Sequence, residues 1–349
     1  MILRRLILGF LIFASCSLYA QDYLVNTRHF SVEEGLSSRF AISFYHDTKG
    51  FAWIGTNYGI NRYDGNEFKI YTKGKNQLKD DYVREIFEDI DGNIWTVSSF
   101  PIELEDGRYW DKPKVTILKT MNNKAISFDD YFKGNCPFEV GEITYIFQDE
   151  RQVLWITLTG GAFYKYDGNF SKIYDANIPG KKMKIIPDAI SGFWRLDNNT
   201  LREIDADGKV ISEEYQEGRN IYMERGVRGG VWMSQMFYSS SDIEFQCDLF
   251  YKKKDGKIKP YPNTNLGYRT PTDNNTYSID KLGRVWYYSS NDGRLLVLDE
   301  KGALIQDLSY LIKDKYLERV NRVVFDNFNN TWLTTNTVSY THLTLPTKA

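Results

Sequence analysis

The sequence predicts an all-β protein: a seven-bladed β-propeller of four-stranded antiparallel blades, with an incomplete last blade. Aromatic residues make up 15% of the 349 residues, and they pack well on pleated, half-buried strands. Seven of the eight tryptophans recur in one sequence context, with a period of about 40–50 residues that is typical of propellers and solenoids. No stretch of residues 22–337 has the sustained apolar stripe of a helix, which disfavours helical and α/β folds. A β-sandwich could use similar strands, but it would not require seven copies of one motif.

The recurring context is an aspartate six residues before a tryptophan, usually with glycine or asparagine three residues before the same tryptophan. Successive tryptophans are separated by 42, 60, 39, 38, 54 and 46 residues. An aspartate side chain can bond backbone two residues on, and glycine supplies the positive φ that reverses the chain. Each copy therefore predicts a β-hairpin. The pairs are Asp47/Trp53, Asp89/Trp95, Asp149/Trp155, Asp188/Trp194, Asp280/Trp286 and Asp326/Trp332, whereas Trp232 has Gly226 at the aspartate position.

The first repeat shows the complete pattern of one blade. Its returning strand is predicted over residues 51–56, a third strand over 59–63 and a fourth over 67–72, with a second turn at 64–66. Four short strands in about 40 residues match the size of one propeller blade. We expect the seven tryptophans to be core residues that pack one blade onto the next.

One interval is too long for the repeat. The 60 residues from Trp95 to Trp155 exceed the shorter intervals by roughly 20 residues, which are predicted to loop out on one face within residues 101–137. The eighth tryptophan, Trp110, lies in this insertion.

The N-terminus has the pattern of a secretory signal over residues 1–20. Arg4 and Arg5 precede an apolar run, and cleavage is expected after Ala20. A lipoprotein signal ending at Cys16 is a rival interpretation. No other apolar run approaches the length of a membrane span. The mature chain would keep two cysteines, Cys136 and Cys247, so that one disulfide is possible.

The last repeat departs from the pattern. Residues 331–335 match it, but residues 338–349 resemble translated adapter sequence, so we place the propeller at residues 21–337 and a non-native tail at 338–349. The segment before the first repeat, residues 23–31, is predicted to be the outermost strand of the last blade, joining the chain's two ends. Because the propeller sequence is taken to end at residue 337, we expect that blade to lack its third strand and to be poorly closed. The tail could occupy that position, but its Pro346 cannot donate a ladder hydrogen bond.

Residues 35–71 resemble the two-component regulator propeller repeat. The resemblance rests on Asp-x-x-Gly-x-x-Trp followed by Gly-Ile-x-x-Tyr-Asp-Gly, and it extends, more weakly in the fourth and fifth repeats, over most of residues 24–337. That family forms the periplasmic sensor region of hybrid two-component systems, mainly in Bacteroidetes.

The resemblance implies partners and an output. In that family, two propellers are usually followed by an immunoglobulin-like domain, a membrane helix, a histidine kinase, a receiver and an AraC-type domain. The resemblance also implies an oligosaccharide ligand, control of carbohydrate-utilisation genes and a longer homodimeric parent protein. In that parent this chain supplies the first propeller and no kinase. With 44 basic and 46 acidic residues, direct contact with nucleic acid is not expected.

The sequence offers little catalytic material. His29 and His46 are not near a serine or cysteine motif, and residues 89–93 resemble a calcium loop only faintly, so we expect no catalytic residue, metal or cofactor. Two hypotheses remain: a non-catalytic sensor propeller, and a secreted propeller enzyme acting on glycans, either a lyase or a glycoside hydrolase. Continuation of the reading frame into a kinase would favour the first, and cleavage of a polysaccharide the second.

Candidate binding residues follow from propeller topology. Ligands usually meet the face that carries the loop before the first strand and the loop between the second and third strands. Tyrosine side chains there could stack on sugar rings, and an arginine could pair with an acidic sugar. The predicted ligand-binding residues are Arg39, Asn57, Tyr58, Tyr82 and Arg84, with Ser38, Phe40, Asp81, Ser290 and Asn291 beside them.

Overall fold

The structure is a computed structural model of the chain. It describes residues 26–98, 113–121, 123–149, 151–158, 161–175, 183–188, 192–197, 199–205, 207–215, 219–225, 229–238, 245–254, 256–261, 268–269, 276–289, 293–311, 320–326, 328, 330–335 and 340–344. The predicted signal at 1–20, Trp110, Ser290 and Asn291 lie outside these residues.

The described strands form antiparallel sheets in which neighbours along the chain are hydrogen-bonded neighbours in space. The first sheet is β2 (Ala41–His46), β3 (Ala52–Thr56), β4 (Gly59–Tyr63) and β5 (Phe68–Tyr71). The second is β6 (Glu85–Glu88), β7 (Ile94–Val97), β8 (Val115–Lys119) and β9 (Lys124–Ser127). The third is β10 (Ile143–Gln148), β11 (Leu154–Leu158), β12 (Ala162–Tyr166) and β13 (Phe170–Asp175). The fourth is β14 (Met183–Pro187), β15 (Phe193–Asp197), β16 (Thr200–Ile204) and β17 (Val210–Tyr215).

The remaining strands follow the same order. The fifth sheet is β18 (Arg219–Arg225), β19 (Val231–Tyr238), β20 (Phe245–Lys252) and β21 (Ile258–Pro260), with the short β22 (Tyr268–Arg269) also pairing β20. The sixth is β23 (Thr276–Ile279), β24 (Val285–Ser289), β25 (Arg294–Leu298) and β26 (Leu304–Asp307). The last is β27 (Val320–Phe325), β28 (Thr331–Thr335), β29 (Tyr340–Thr344) and β1 (Asn26–Phe30).

The all-β propeller architecture with four-stranded antiparallel blades is thus confirmed. Six of these sheets have the regular four strands of a blade, whereas the fifth has five and departs from that form. Helix is limited in the described residues to α1 (Lys73–Asn76), α2 (Phe128–Phe132) and two short 3-10 turns, Val140–Glu142 and Ser309–Leu311. No helix among the described residues is long and apolar enough to cross a membrane.

The aspartate of each hairpin does more than the sequence predicted. Asp47 Oδ1 accepts the backbone N–H of Lys49 at 3.0 Å and of Phe51 at 2.8 Å, which confirms the expected turn. Its second oxygen, Oδ2, accepts the indole N–H of Trp53 at 2.7 Å. Because the carboxylate spans the turn to reach the indole, the six-residue spacing is explained by one geometry. The same indole bond occurs at Asp89, Asp149, Asp188, Asp280 and Asp326, at 2.8–3.2 Å.

The tryptophans form the packing between sheets, as predicted. All seven are buried, none being more than 8% exposed. Each lies in its own buried cluster, and each cluster combines side chains of two successive sheets. The cluster of Trp332 joins the last sheet to Ala41 and Ile54 of the first. The described sheets are therefore connected in a cycle by apolar burial, the dominant favourable term in folding.

The N-terminal strand lies at the predicted position, but the last sheet is complete, so the prediction of an incomplete blade was wrong. Strand β29 pairs with β28 on one side and β1 on the other, with Asn26 opposite Thr344. Pro346 follows the strand instead of interrupting it, so every residue of the strand retains a backbone N–H. The domain boundary at residue 337 stays a prediction.

The insertion in the second repeat does not simply loop out. Residues 99–112 lie outside the described residues, but helix α2 and the chain after it fold back between the second and third sheets. Phe128, Phe132 and Phe138 are buried there in the cluster of Trp95. The apolar faces of these three rings explain why the segment packs inward. Cys136 lies in the same segment as a free thiol, and burial raises the pKa of that thiol to about 11. The side chain of Cys247 lies outside the part of the chain that the structure describes.

Candidate functional site

Antiparallel order gives the propeller two distinct faces. Turns from the first to the second strand and from the third to the fourth lie on one side, which we call the turn face. Links from the second to the third strand, and from the fourth to the next sheet, begin on the other side, which we call the loop face. The long link from β9 to β10, which contains helix α2, also reaches the turn face, where the Tyr131 hydroxyl donates to Asp89 Oδ2 at 3.0 Å. All five predicted ligand-binding residues belong to the loop face.

The loop face brings two of the predicted tyrosines onto one backbone junction. The N–H of Gly59 donates to Asp81 O at 2.6 Å, and the N–H of Val83 donates to Thr56 O at 2.9 Å. Tyr58 precedes the first donor and Tyr82 follows its acceptor. Their side chains are 60% and 42% exposed, so both aromatic rings are available to solvent beside this junction.

Asn57 is joined to the loop before the first sheet. Ser38 Oγ donates to Asn57 Oδ1 at 2.6 Å, and the Asn57 N–H donates to Phe40 O at 3.4 Å. The carboxamide of Asn57 is thereby held at the edge of the loop face, where its NH2 group can donate to a ligand.

Arg39 is already engaged in an ion pair. Its guanidinium lies 3.2 Å from Glu33, with both side chains 65% exposed. Hydrogen bonding from Ser31, together with a smaller effect of Arg39, lowers the pKa of the Glu33 carboxyl. Exposed pairs of this kind are weak, so an acidic ligand could displace Glu33 at small cost.

Two further ion pairs of the loop face were not predicted. Arg84 precedes Glu85, whose carboxylate lies 3.3 Å from the guanidinium of Arg322 in the first strand of the last sheet. Lys114 lies 2.7 Å from Asp80, beside Tyr82. Burial disfavours ionisation of Asp80, but the hydrogen bond from Lys114 and that from the Tyr82 N–H outweigh it and lower the pKa of this carboxyl. The only sequence signal for either pair was the charge of the residues, because their partners are distant along the chain.

Gly59 is required by this junction. Its φ is +95°, and a Cβ there would lie 2.2 Å from Tyr71 O, which is backbone and cannot move aside. We expect Gly59→Ala to lower the free energy of unfolding by about 2 kcal/mol or more, since both strain and overlap are introduced. Urea unfolding of the purified chain would measure this loss.

Gly65 provides the matched control for this prediction. It has φ +101° but nothing within 4 Å of its Cβ position, so Gly65→Ala introduces only the φ strain. Equal losses in the two variants would contradict the close approach at Gly59.

The chemistry available at the loop face is hydrogen bonding, aromatic contact and ion pairing. Both histidines with described side chains lie elsewhere: His29 is on the outermost strand of the last sheet, and His46 ends β2 at the turn face, 5.1 Å from the ring of Phe328. Among the residues that the structure describes, no group of three or more His, Cys, Asp or Glu is arranged to hold a metal ion.

The propeller is similar to solved structures of two kinds. One is the virginiamycin B lyase from Staphylococcus aureus, at 12% identity and TM-score 0.60, covering 93% of this chain and 100% of the lyase. The other comprises extracellular domains of B. thetaiotaomicron proteins designated hybrid two component systems. BT3049 has 16% identity and TM-score 0.60, with 93% of this chain covered. BT4673 has 17% identity and TM-score 0.58, with 92% covered.

The chain spans 42% of the length of each of those two extracellular domains. No protein-family model matches the sequence, and no curated protein matches it. At these identities the similarity establishes the propeller fold.

Proposed function

We propose that this chain is the ligand-sensing propeller of a hybrid histidine kinase/response regulator that controls carbohydrate-utilisation genes. The observation that carries the proposal is the agreement between two independent features. The repeat motif resembles the two-component regulator propeller, and the fold is similar to extracellular domains of hybrid two component systems.

The proposal includes the organisation of the chain. The five-stranded fifth sheet is taken as one blade of a seven-bladed ring, because the cluster of Trp232 packs it against the sixth sheet as the other tryptophan clusters pack their sheets. The parent is anchored in the inner membrane, with this region exported to the periplasm by residues 1–20. Its partners are a second propeller and downstream domains of the same chain, in a homodimer.

An oligosaccharide is the proposed ligand, and the loop face is its proposed site. Tyr58 and Tyr82 offer exposed rings to the C–H faces of sugars, and Asn57 offers an amide to their hydroxyls. Arg39 and Arg84 supply positive charge near these groups. In this role the chain binds its ligand without converting it.

The loop-face assignment is tested by replacing Arg39, Tyr58 and Tyr82 together by alanine. We expect this triple variant to weaken oligosaccharide binding at the loop face by at least about tenfold, because the ring contacts and one cation are lost. Isothermal titration with cello-, xylo-, manno- and arabino-oligosaccharides would measure affinity and stoichiometry. Tyr310→Ala is the matched control, since Tyr310 is 56% exposed on another loop-face connection. Unchanged affinity and stoichiometry in the triple variant would contradict the assignment.

The second candidate function is a secreted enzyme acting on glycans. The similarity to the virginiamycin B lyase over the whole of that enzyme favours it. Incubating the purified chain with the parent polysaccharides and following new reducing or unsaturated ends separates the two functions. Binding without cleavage is the result expected of a sensor, and turnover would establish the enzyme.

A further inference from the structure

The turn face carries a groove that the repeat alone does not build. It has a volume of about 1220 Å³ and lies between the second and third sheets. One wall is helix α2 with the residues after it, and the others are hairpin turns of the two sheets. The lining includes Asn93, Tyr131, Lys133, Asn135, Tyr164 and Phe170.

The floor of this groove is held rigidly. Asp89, whose Oδ2 accepts the Trp95 indole N–H at 2.8 Å, also accepts the hydroxyl of Tyr131 at 3.0 Å and the amide of Asn93 at 3.0 Å. The ring of Tyr131 is therefore fixed by the same buried carboxylate that organises the hairpin. Burial and the nearby Asp89 carboxylate raise the pKa of this phenol, so its hydroxyl stays protonated as a donor.

The wall formed by the insertion contains an unfavourable backbone choice. Lys133 ends helix α2 with φ +49°, a left-handed conformation for which glycine is the usual residue, and Gly134 follows with φ +79°. A lysine in this position has a conformational cost. The hydrogen bond from its backbone N–H to Asp129 O does not explain the choice of lysine, because any residue could form that bond. The exposed ammonium of Lys133 lies at the rim of the groove.

The lining has the chemistry of a sugar site. Tyr131, Tyr164 and Phe170 are half-buried, and their rings combine apolar faces with fixed positions. Asn93, Asn135 and Asn169 of the lining offer carboxamides, which both donate and accept hydrogen bonds as sugar hydroxyls require. Both signs of charge are present, with Lys119 and Lys133 against Asp91, so the lining does not select a strongly charged ligand.

We propose that this groove is a second oligosaccharide-binding site, for neutral sugars, on the face opposite to the loop face. It deepens the proposed function, on which it rests, by giving the propeller two separate places for its glycan. The volume exceeds that of typical pockets for a single small molecule, about 300–1,000 Å³, and thus has room for several sugar units. Sugar rings lie against the aromatic side chains, and their hydroxyls bond the amides and Lys133 at the rim.

The test uses the full chain carrying the loop-face triple variant, so that any remaining binding belongs elsewhere. Isothermal titration with cellohexaose, xylohexaose, mannohexaose and arabinohexaose is expected to detect one remaining site. Adding Lys133→Gly, Asn135→Ala and Tyr164→Leu is expected to weaken that site by at least about tenfold. Glycine accepts the φ at position 133, Asn135 is exposed, and leucine preserves apolar contact with Phe138, so these changes spare the fold.

Two controls keep the result interpretable. If Tyr164→Leu lowers the melting temperature, the double variant Lys133→Gly with Asn135→Ala replaces the triple groove variant. It should still weaken binding severalfold. Tyr215→Ala, at a 66% exposed tyrosine on the outer strand β17, should leave binding unchanged. If the loop-face triple variant binds none of the four sugars while the unmodified chain does, the groove is overturned and the proposed function stands. Binding that persists in the groove variants also overturns it, and absence of binding in the unmodified chain overturns both.

Discussion

Replacing Phe30 by alanine is expected to lower the free energy of unfolding by roughly 3–5 kcal/mol, the usual cost of removing a buried aromatic ring. Phe30 is 2% exposed, and its ring lies 4.8 Å from that of Tyr63, 5.7 Å from that of Phe68 and 5.8 Å from that of Trp332. It belongs to the N-terminal strand, and its ring packs the last sheet against the first. Its loss removes apolar contacts from both sheets at the point where the ring closes.

Urea unfolding gives the size of this effect, and hydrogen exchange gives its location. We expect protection to fall first in strands β1, β28 and β29, because these depend on the closing strand. Val32→Ala is the control: Val32 lies just beyond the strand, is 44% exposed, and should change stability by no more than about 0.5 kcal/mol. A uniform loss of protection over all sheets would show that Phe30 acts on the whole fold and not on closure.

Replacing Asp47 by alanine is expected to cost roughly 2–4 kcal/mol, since it leaves the buried indole N–H of Trp53 and the N–H of Phe51 without their acceptor. Asp47→Asn separates the two roles of the carboxylate. The asparagine oxygen can still accept the backbone donors, but its NH2 group would meet the indole N–H, so most of the loss should remain.

Asp64 is the matched control for Asp47. It accepts the N–H of Asn66 and of Glu67 at 2.9 Å in the second hairpin of the same sheet, but it is exposed and holds no indole. Asp64→Ala should therefore cost clearly less than Asp47→Ala. Equal losses in urea unfolding, or an unchanged near-ultraviolet signal from Trp53 in Asp47→Ala, would contradict a structural role for the indole bond.

Local patterns in the sequence were sufficient for much of the fold. The predicted strand at residues 59–63 matches β4, because its limits are set by glycine and by the next turn, both local signals. The burial of the tryptophans followed from their repetition. The six-residue spacing of Asp47 and Trp53 was visible in the sequence. Only the folded turn shows that the Asp47 carboxylate accepts the indole N–H of Trp53.

Other features depend on contacts that no local pattern records. Helix α2 packs inward because Phe128 and Phe132 meet a cluster supplied by the third sheet. Glu85 and Arg322 pair although they are 237 residues apart, and the exposed Arg39 pairs with Glu33 within a loop. Topology alone assigned the five candidate residues to the links that form the loop face, whereas the groove depends on the folded insertion.

The pairing of β1 with β29 has a consequence for the order in which the molecule folds. Asn26 and Thr344 are opposite each other, so the last sheet contains the longest loop closure that the described chain can make. During synthesis the first six sheets can form in sequence from local hairpins, but the seventh must wait for nearly the whole chain. We therefore expect a late, slow closing step preceded by an open ring, whose unpaired edge is exposed to mispairing until the two ends meet.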